Sequence, residues 1–329
     1  RRRNQFRFLM FFSCIIPVYN RPGELKDLLG SLLPQTNTQF EVIVIEDGST
    51  LRCKEVVDAF ADQLTIHYFF QENTGQGFAR NFGMQQAKGD FFVILDSDVL
   101  LPPAYFEVLE KAITSRSLDA FGGPDAAAAD FSPLQKAMDF AMTSFWTTGG
   151  IRGKLKNPAA YQARGFNMGV SRRVFEQLGG FVDPNRGEDI EWSLRIKKAG
   201  FRLELVSEAF VYHKRKNTLV SFAKQAFSFG RNRVNVSRFH PEAIKLVHAL
   251  PSFFLLFLIS LAVNLIFIQL LLLPHLLILG IWATLVLSQA TLQYRSPLVG
   301  ALALATSVVQ LAGYGLGLLW ELVVKWTKG

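Results

Sequence analysis

Asp96 and Asp98 are separated by one serine and follow five apolar residues at 91–95. In an extended segment, residues two apart point to the same side, so both carboxylates can face one ligand at the end of a strand. Two hard oxygen donors suit Mg²⁺ or Mn²⁺, ions that usually share their shell with substrate phosphates. Alone the pattern also fits a solvated turn. Its place after a buried strand, third in a series of such strand ends, favours a ligand site. Asp47-Gly48-Ser49 closes another apolar run. Asp favours a turn there and Gly permits positive φ; the other reading is an aspartate that hydrogen-bonds a base or ribose edge. Residues 73–77 open a helix, whose N-terminus offers free N–H groups to an anion, and Arg80 one turn in adds a donor fork. Gly187-Glu188-Asp189-Ile190-Glu191 puts three carboxylates at the start of a further helix running to 198. Acids suit that position electrostatically, but a base for an acceptor hydroxyl must also be a well-placed carboxylate. His213 follows a strand-like stretch at 210–212, and an imidazole joining an aspartate would suit Mn²⁺; a lone histidine there is otherwise structural.

These residues need elements to position them. Apolar strand patterns at 11–18, 41–45, 65–70 and 90–95 alternate with helical spacing at 24–33, 53–64 and 77–88. Strands alternating with helices imply right-handed βαβ units, an α/β fold and a mostly parallel sheet. In such sheets ligands bind beyond the carboxyl ends of the strands, where the loops here are rich in Asp, Asn, Gly and Ser. Residues 133–146 read as an amphipathic helix with Leu134, Met138, Met142 and Phe145 on one face, for core packing or for a membrane or acceptor surface. The glycine-rich basic stretch 147–158 reads as a linker, or as a lid whose Arg152, Lys154 and Lys156 meet phosphate.

The chain of 329 residues carries a net charge of +8, unevenly spread. Between Lys245 and Lys325 only Arg295 and Glu321 are charged. So long an apolar tail reads as membrane helices. The expected division is a catalytic domain at 1–245 and a transmembrane region at 246–329, with helices near 247–273, 275–292 and 298–324. Two or three of them cross, 275–292 being the weakest. The basic run 213–245 just before the tail fits anionic lipid and a cytoplasmic catalytic domain better than nucleic acid, so no nucleic-acid partner is expected. Cys14 and Cys53 lack metal-ligand spacing and form no disulfide framework; Cys14, inside an apolar run, reads as buried packing. No cleavable signal peptide is expected, and residues 1–9 read as an extension before Met10.

Taken in order, P-V-Y-N-R at 17–21, E-D-G-S at 46–49, N-T-G-Q-G-F-A-R-N at 73–81, D-S-D at 96–98, G-E-D at 187–189 and V-Y-H at 211–213 resemble glycosyltransferase family 2, of the membrane-anchored bacterial type. The resemblance implies a GT-A nucleotide-diphospho-sugar fold and inversion at the anomeric carbon. It implies that Pro17, Tyr19, Asn20, Asp47 and Arg80 hold the donor, with Asp96 near the ribose. Asp98 would bind Mn²⁺ or Mg²⁺ on the diphosphate, His213 would be a further ligand, and Asp189, flanked by Glu188, would be the base. The implied partners are a nucleotide-sugar donor, expected to be a UDP-sugar, a lipid-linked or saccharide acceptor, and membrane lipid. The implied setting is cell-envelope glycan or glycolipid synthesis at the cytoplasmic face of the membrane, by a multi-pass protein. The Q-x-x-R-W motif of processive polysaccharide synthases is absent, which favours adding one sugar. The alternative is a polyprenyl-phosphate glycosyltransferase, in which a lipid phosphate attacks the donor.

Overall fold

A computed structural model describes residues 10–126, 131–149, 158–213, 218–269 and 271–328. The chain divides into two compact units, one of residues 1–126 with 157–214, the other of residues 127–156 with 215–329.

Among the described residues the first unit has ten strands: β1 (Phe12–Val18), β2 (Phe40–Asp47), β3 (Ile66–Gln71), β4 (Phe91–Leu95), β5 (Val99–Leu100), β6 (Ala120–Gly122), β7 (Asp125–Ala126), β8 (Asn167–Ser171), β9 (Leu203–Leu205) and β10 (Val211–His213). Seven form one sheet in the order β3-β2-β1-β4-β8-β6-β9, and β5-β10-β7 form a small second sheet. β1, β2, β3 and β4 run parallel, as does the β6–β9 pair. β1 and β2 are buried along their whole length, which is why they read as largely apolar runs rather than alternating ones. Their side chains point to opposite faces in turn and feed two cores. Cys14, Ile16, Val42, Val44 and Val93 pack with Leu25, Leu28, Leu29 and Phe106 of α1 (Pro22–Leu32) and α4 (Tyr105–Arg116). Ile15, Ile43, Ile45, Phe92 and Ile94 pack with Ala79 and Met84 of α3 (Gln76–Gln86) and with Trp192 and Ile196 of α8 (Glu188–Lys198). Both cysteines are buried. Burial raises the Cys14 thiol far above its ordinary range and pushes Cys53 up to about 11.

Two details differ from the sequence reading. β8 runs antiparallel between β4 and β6; its short N-M-G-V-S stretch carries no long apolar run to announce a strand. The helix expected over 53–64 is α-helical only as α2 (Lys54–Asp58). Beyond it, Phe60, Ala61 and Gln63 donate three residues back, to Val57, Asp58 and Phe60, the tighter 3₁₀ pattern. A short α7 (Arg172–Leu178) leads from β8 towards α8.

The second unit is helical: α5 (Pro133–Thr143), α6 (Phe145–Thr148), α9 (Leu219–Val236), α10 (Leu246–Val263) prolonged by a π turn (Asn264–Ile268), α11 (Leu272–Tyr294) and α12 (Pro297–Lys328). The single helix expected over 133–146 breaks at Ser144, which takes an extended conformation and caps the Trp146 amide with its hydroxyl (3.2 Å). Serine competes with the helix backbone in this way and so favours caps. Of the expected apolar face, Met138 and Met142 are buried with Phe222, and Leu134 packs against them; Phe145 is exposed. Glycines let the helices touch. A Cβ on Gly317 would lie 2.0 Å from the Phe227 carbonyl oxygen, and one on Gly230 would lie 2.1 Å from that of Tyr314. Among the described residues three helices are long and apolar enough to cross a membrane: Leu246–Phe267, Leu272–Tyr294 and Pro297–Thr327.

Candidate active site

Five segments meet at the carboxyl end of the sheet, where β1 lies between β2 and β4. The first leaves β1. Pro17 is buried in that strand beside Ile45, past the last β1–β4 pair at Ile15, so that edge demands no N–H of it. Tyr19 is half exposed. Asn20, at φ 53°, ties this loop to the next: its amide donates to Ser49 Oγ (2.9 Å), and its Oδ1 accepts the Thr50 and Leu51 amides (2.8 and 2.9 Å). Asparagine tolerates this left-handed backbone because its short polar side chain bonds locally.

The second segment follows β2. Asp47 is buried, and its carboxylate organises the start of α3. Oδ1 accepts from Gln71 Nε2 (2.8 Å) and the Thr74 amide (3.0 Å), and Oδ2 accepts the Gly75 amide (2.8 Å). Gly48 follows at φ 71°, where an added Cβ would sit 2.5 Å from the Asn73 nitrogen. Asp47 therefore shapes the third segment, 73–77. At the head of α3 the Gly77 amide donates to Asn185 Oδ1 (2.9 Å), and Asn185 Nδ2 donates to the Thr74 carbonyl (3.1 Å). Part of the expected anion-binding helix end is thus occupied by the loop before α8.

The fourth segment is 96–98. β4 stops at Leu95 and the chain turns through Ser97 and Asp98 rather than continuing extended, so the two carboxylates meet different arginines. Asp96 Oδ1 accepts Arg80 Nη2 (2.6 Å), and Asp98 Oδ2 accepts Arg21 Nη1 (2.6 Å). Arg80 is 2% exposed, and its Nη1 also reaches Glu188 Oε1 (3.1 Å). Burial by itself would lower the Arg80 pKa, but Asp96 and Glu188 more than offset it and hold the guanidinium above its ordinary value. The plane of the guanidinium passes against Gly165, where a Cβ would come within 2.7 Å of Nη1.

The fifth segment is the start of α8. Gly187 caps it at φ 82°. Glu188 turns inward to Arg80; burial raises its carboxyl above the usual range, Arg80 opposes this, and Asp189 and Asp96 add to it. Glu191 pairs with Arg195 (2.9 Å), which also donates to the Leu178 and Gly180 carbonyls (2.5 and 2.7 Å). Asp189 differs. Its Oδ2 accepts the Gly165 amide (3.2 Å) and its Oδ1 the Ile190 amide (2.8 Å), with no ion pair to it among the described residues. It stands in the first turn of α8, beside the helix N-terminus.

The structure therefore bonds Arg80, Asp96 and Glu188 into one cluster, with Asp189 next to Glu188 at the start of α8, Asp47 fixing the loop that leads into α3, and Asn20 stapling the loops after β1 and β2. Asp98 lies in the same turn as Asp96, held by Arg21. The backbone of His213 pairs with Val99, the residue after Asp98; the His213 side chain lies outside the described residues, as do Arg152, Lys154 and Lys156. Sequence reasoning missed Arg21, Gly165 and Asn185 as organisers. Arg21 stood inside a quoted motif but carried no separate signal, and the other two act only through contacts made across the chain.

Among the described residues no three His, Cys, Asp or Glu side chains gather into a metal cage. A hard cation that borrows oxygens from a diphosphate needs only one or two carboxylates. Asp96 and Asp98 fit that requirement, each held by an arginine at 2.6 Å; Asp98 fits better, because its partner Arg21 is 39% exposed and can swing aside, whereas Arg80 on Asp96 is buried.

The family model for "Glycosyl transferase family 2" matches residues 13–179. Glycosyltransferase AglE of Haloferax volcanii is 26% identical over 255 residues, 75% of this chain and 81% of that protein. An uncharacterized glycosyltransferase of Rickettsia bellii is 43% identical over 88 residues, 27% of this chain, and validoxylamine A glucosyltransferase of Streptomyces hygroscopicus subsp. jinggangensis is 41% identical over 99 residues, 29% of it. This chain spans only 13% and 24% of those two relatives' own lengths. Among solved structures, the mannosyltransferase PcManGT of Pyrobaculum calidifontis, in complex with GDP-Man and Mn²⁺, superimposes with a TM-score of 0.67 at 19% identity over 98% of this chain and 89% of that one. Residues 1–349 of S. aureus TarS give 0.50 at 18% identity over 97% and 92%. The fold shared with these proteins is the GT-A sheet with its flanking helices.

Proposed function

The chain belongs to glycosyl transferase family 2, and on that premise we propose that it transfers a sugar, with inversion, from a nucleotide-sugar to a lipid-linked or saccharide acceptor at the cytoplasmic face of a membrane. One observation carries this reading: five acidic side chains, Asp47, Asp96, Asp98, Glu188 and Asp189, gather at the carboxyl end of a mostly parallel sheet; Asp47 is tied to the loop it shapes, Asp96, Asp98 and Glu188 to arginines, and Asp189 to the Gly165 and Ile190 amides.

In this reading residues 1–245 carry the chemistry and 246–329 the membrane attachment. The loops at 17–20 and 47–49 receive the nucleotide, expected to be a UDP. Pro17 and Asn20 shape the first loop, Tyr19 is exposed to stack on a base, and Asp47 acts by fixing the 73–75 loop. Asp98, with His213, would hold Mn²⁺ or Mg²⁺, which when bound neutralises charge on the leaving diphosphate. Asp96 faces the ribose. Arg80 supports from behind: its bonds to Asp96 and Glu188 fix the helix start that carries Asp189. Asp189 accepts the acceptor hydroxyl's proton as attack develops, on the side opposite the departing diphosphate. The Gly165 and Ile190 amides fix the carboxylate's orientation for that role.

The polyprenyl-phosphate alternative needs less of a base, because a phosphate is already ionised, and the ordered geometry around Asp189 favours a hydroxyl acceptor. The test is nucleoside diphosphate release across a panel of nucleotide-sugars, with and without Mn²⁺, followed by identification of the glycosylated product. Pyrophosphate release instead would mean a nucleotidyltransferase. Sugar on a lipid phosphate would move the function to the alternative.

A further inference from the structure

The helical unit treats its three apolar helices unequally. In their most apolar stretches, 11% of Leu246–Phe267 and 6% of Leu272–Tyr294 is buried, against 44% of Pro297–Thr327. α12 is covered because α5 and α9 lie along it. Thr306 donates to the Ala137 carbonyl (2.9 Å), and Val299 and Ala303 share a core with Ala137 and Phe140. Farther on, Gly317 meets Phe227, Arg231 and Arg238 reach the buried Glu321 (2.7 and 3.4 Å), and Lys325 donates to Ser237 (3.1 Å). If α12 crossed a bilayer, α5 and α9 would enter with it, carrying Lys136, Asp139, Lys224 and Arg233. Charges at bilayer depth are among the costliest insertions.

α10 and α11 form a hairpin whose two ends differ. Near its base it is packed: Val286 and Ala290 are fully buried, and Ser252 donates to the Gly315 carbonyl (3.2 Å). This packing reaches down to Trp282, whose Nε1 donates to the Trp146 carbonyl (3.1 Å) beside Phe254. From Trp282 to the start of α11 at Leu272 is roughly ten residues, about 15 Å of helix. That is about half of the ~30 Å hydrocarbon core of a bilayer. At the tip, Leu265, Ile266, Phe267, Leu271 and Leu273 are exposed. Of the tip's polar side chains Gln269 is exposed, while Asn264 and His275 are bonded inward: Asn264 Nδ2 donates to the Ser260 carbonyl (2.9 Å), Asn264 Oδ1 accepts the Leu271 amide (3.1 Å), and the His275 ring bonds Ser260 Oγ and the Leu271 carbonyl (3.0 and 2.6 Å). A tip meant for water on the far side has no use for exposed leucines and isoleucine, whereas one left in hydrocarbon must satisfy its polar groups internally.

We infer that the α10–α11 hairpin dips into one leaflet and turns back inside the hydrocarbon, with Trp146 and Trp282 at headgroup level and α12 lying at the surface, so that no helix crosses. The partner is a lipid bilayer met from one side, in place of the multi-pass arrangement expected from length and composition. Tryptophans belong at that level, and α12 presents Leu316, Trp320, Val323 and Trp326 exposed, an apolar stripe opposite its buried Glu321. The inference rests on the membrane attachment proposed above, not on the sugar chemistry.

Single cysteines test it, because Cys14 and Cys53 are buried. Gln269→Cys marks the tip, Thr327→Cys the end of α12 and Glu55→Cys the side of the catalytic unit. Each is treated with a membrane-impermeant maleimide in right-side-out and inverted membrane vesicles, with total thiol read after denaturation in detergent. Leu265→Cys replaces Gln269→Cys if the latter fails to bind nucleotide-sugar as the parent does. The expected result is labelling of Thr327→Cys and Glu55→Cys in the same vesicles, and no labelling of the tip from either side. A fluorophore on the tip should also be quenched more by nitroxides deep in the acyl chain than by shallow ones. Tip labelling opposite Glu55→Cys would establish crossing and overturn the inference, as would Thr327→Cys labelling opposite Glu55→Cys or tip labelling from the same side. An alkaline carbonate wash separates the two layers of the reading: release of the protein from vesicles would remove membrane attachment itself, whatever the transferase assay shows.

Discussion

At the strand ends of the first unit, charge is paired, and part of it is buried: Arg80 lies buried between Asp96 and Glu188, Arg195 lies on the buried Glu191, and the more exposed Arg21 lies on Asp98. In the second unit, close contact is made by small residues instead, Gly230, Gly313, Gly315 and Gly317 each meeting the backbone or side chain of a neighbouring helix within about 3 Å. There Glu321, with Arg231 and Arg238, is the counterpart of that charged network. Buried ion pairs add little net stability but strongly penalise the loss of one partner; small-residue contacts reward close packing and tolerate no added volume. One unit is thus organised to hold charges at fixed positions, the other to hold helices together in an apolar setting. Changes of charge should act on chemistry, and changes of volume on stability.

The largest expected effect is on chemistry alone. Asp98→Asn should bring transfer down to background without unfolding the protein, and chelation by EDTA should do the same to the wild type. Turnover that persists in EDTA would remove the metal from the mechanism. Asp189→Asn should follow, losing roughly 10²–10⁴-fold in transfer rate while donor binding, measured by calorimetry, stays near normal. Asparagine keeps the shape of aspartate and an oxygen that can accept the Gly165 amide, so wild-type transfer would leave Asp189 a structural role alone. Arg80→Ala should cross the line between the two classes. It leaves Asp96 and Glu188 facing each other, costs roughly 3–5 kcal/mol of stability, and lowers kcat through misplacement of Asp189. A variant as stable as the wild type by thermal melting would show that the buried pairs are not what holds this site. Gly317→Leu should be the mirror case, destabilising by roughly 1–3 kcal/mol through overpacking with kcat/KM of the surviving folded protein unchanged.

The smallest effect is a slope. Glu188 has a folded pKa above its ordinary 4.5. The protonated carboxyl therefore favours the folded state, and its contribution is complete below pH 4.5 and lost as pH rises through the folded value. Glu188→Gln carries no such proton. Raising the pH from 4.5 towards neutrality should then cost the wild type more stability than it costs the variant; parallel stability curves would show that Arg80 holds Glu188 at its ordinary value.

The central strands were legible in the sequence because they are buried on both faces and read as largely apolar runs; β1, β2 and β4 fall within two residues of where 11–18, 41–45 and 90–95 placed them. The acids at their ends were legible because loops after such strands carry the polar groups. β8 was not, since Asn167–Ser171 mixes asparagine, glycine and serine and becomes a strand only by pairing with both β4 and β6. Arg80 was visible as a residue but not in its role: nothing local says that a guanidinium four residues into a helix will be buried under Gly165 rather than turned to an anion. The division of Asp96 and Asp98 between two arginines was hidden for the same reason, because it depends on a turn that begins one residue earlier than an extended reading assumes.

The two thiols described in the first core have a consequence for handling and for life in changing redox conditions. Cys14 has no exposed surface, and Cys53, with a pKa of about 11, is almost wholly in its unreactive protonated form at neutral pH. Oxidants and alkylating agents act on thiolates within reach. The folded protein should therefore keep its activity through peroxide or iodoacetamide treatment that inactivates enzymes with accessible sulfhydryls, and should need no reductant to stay whole.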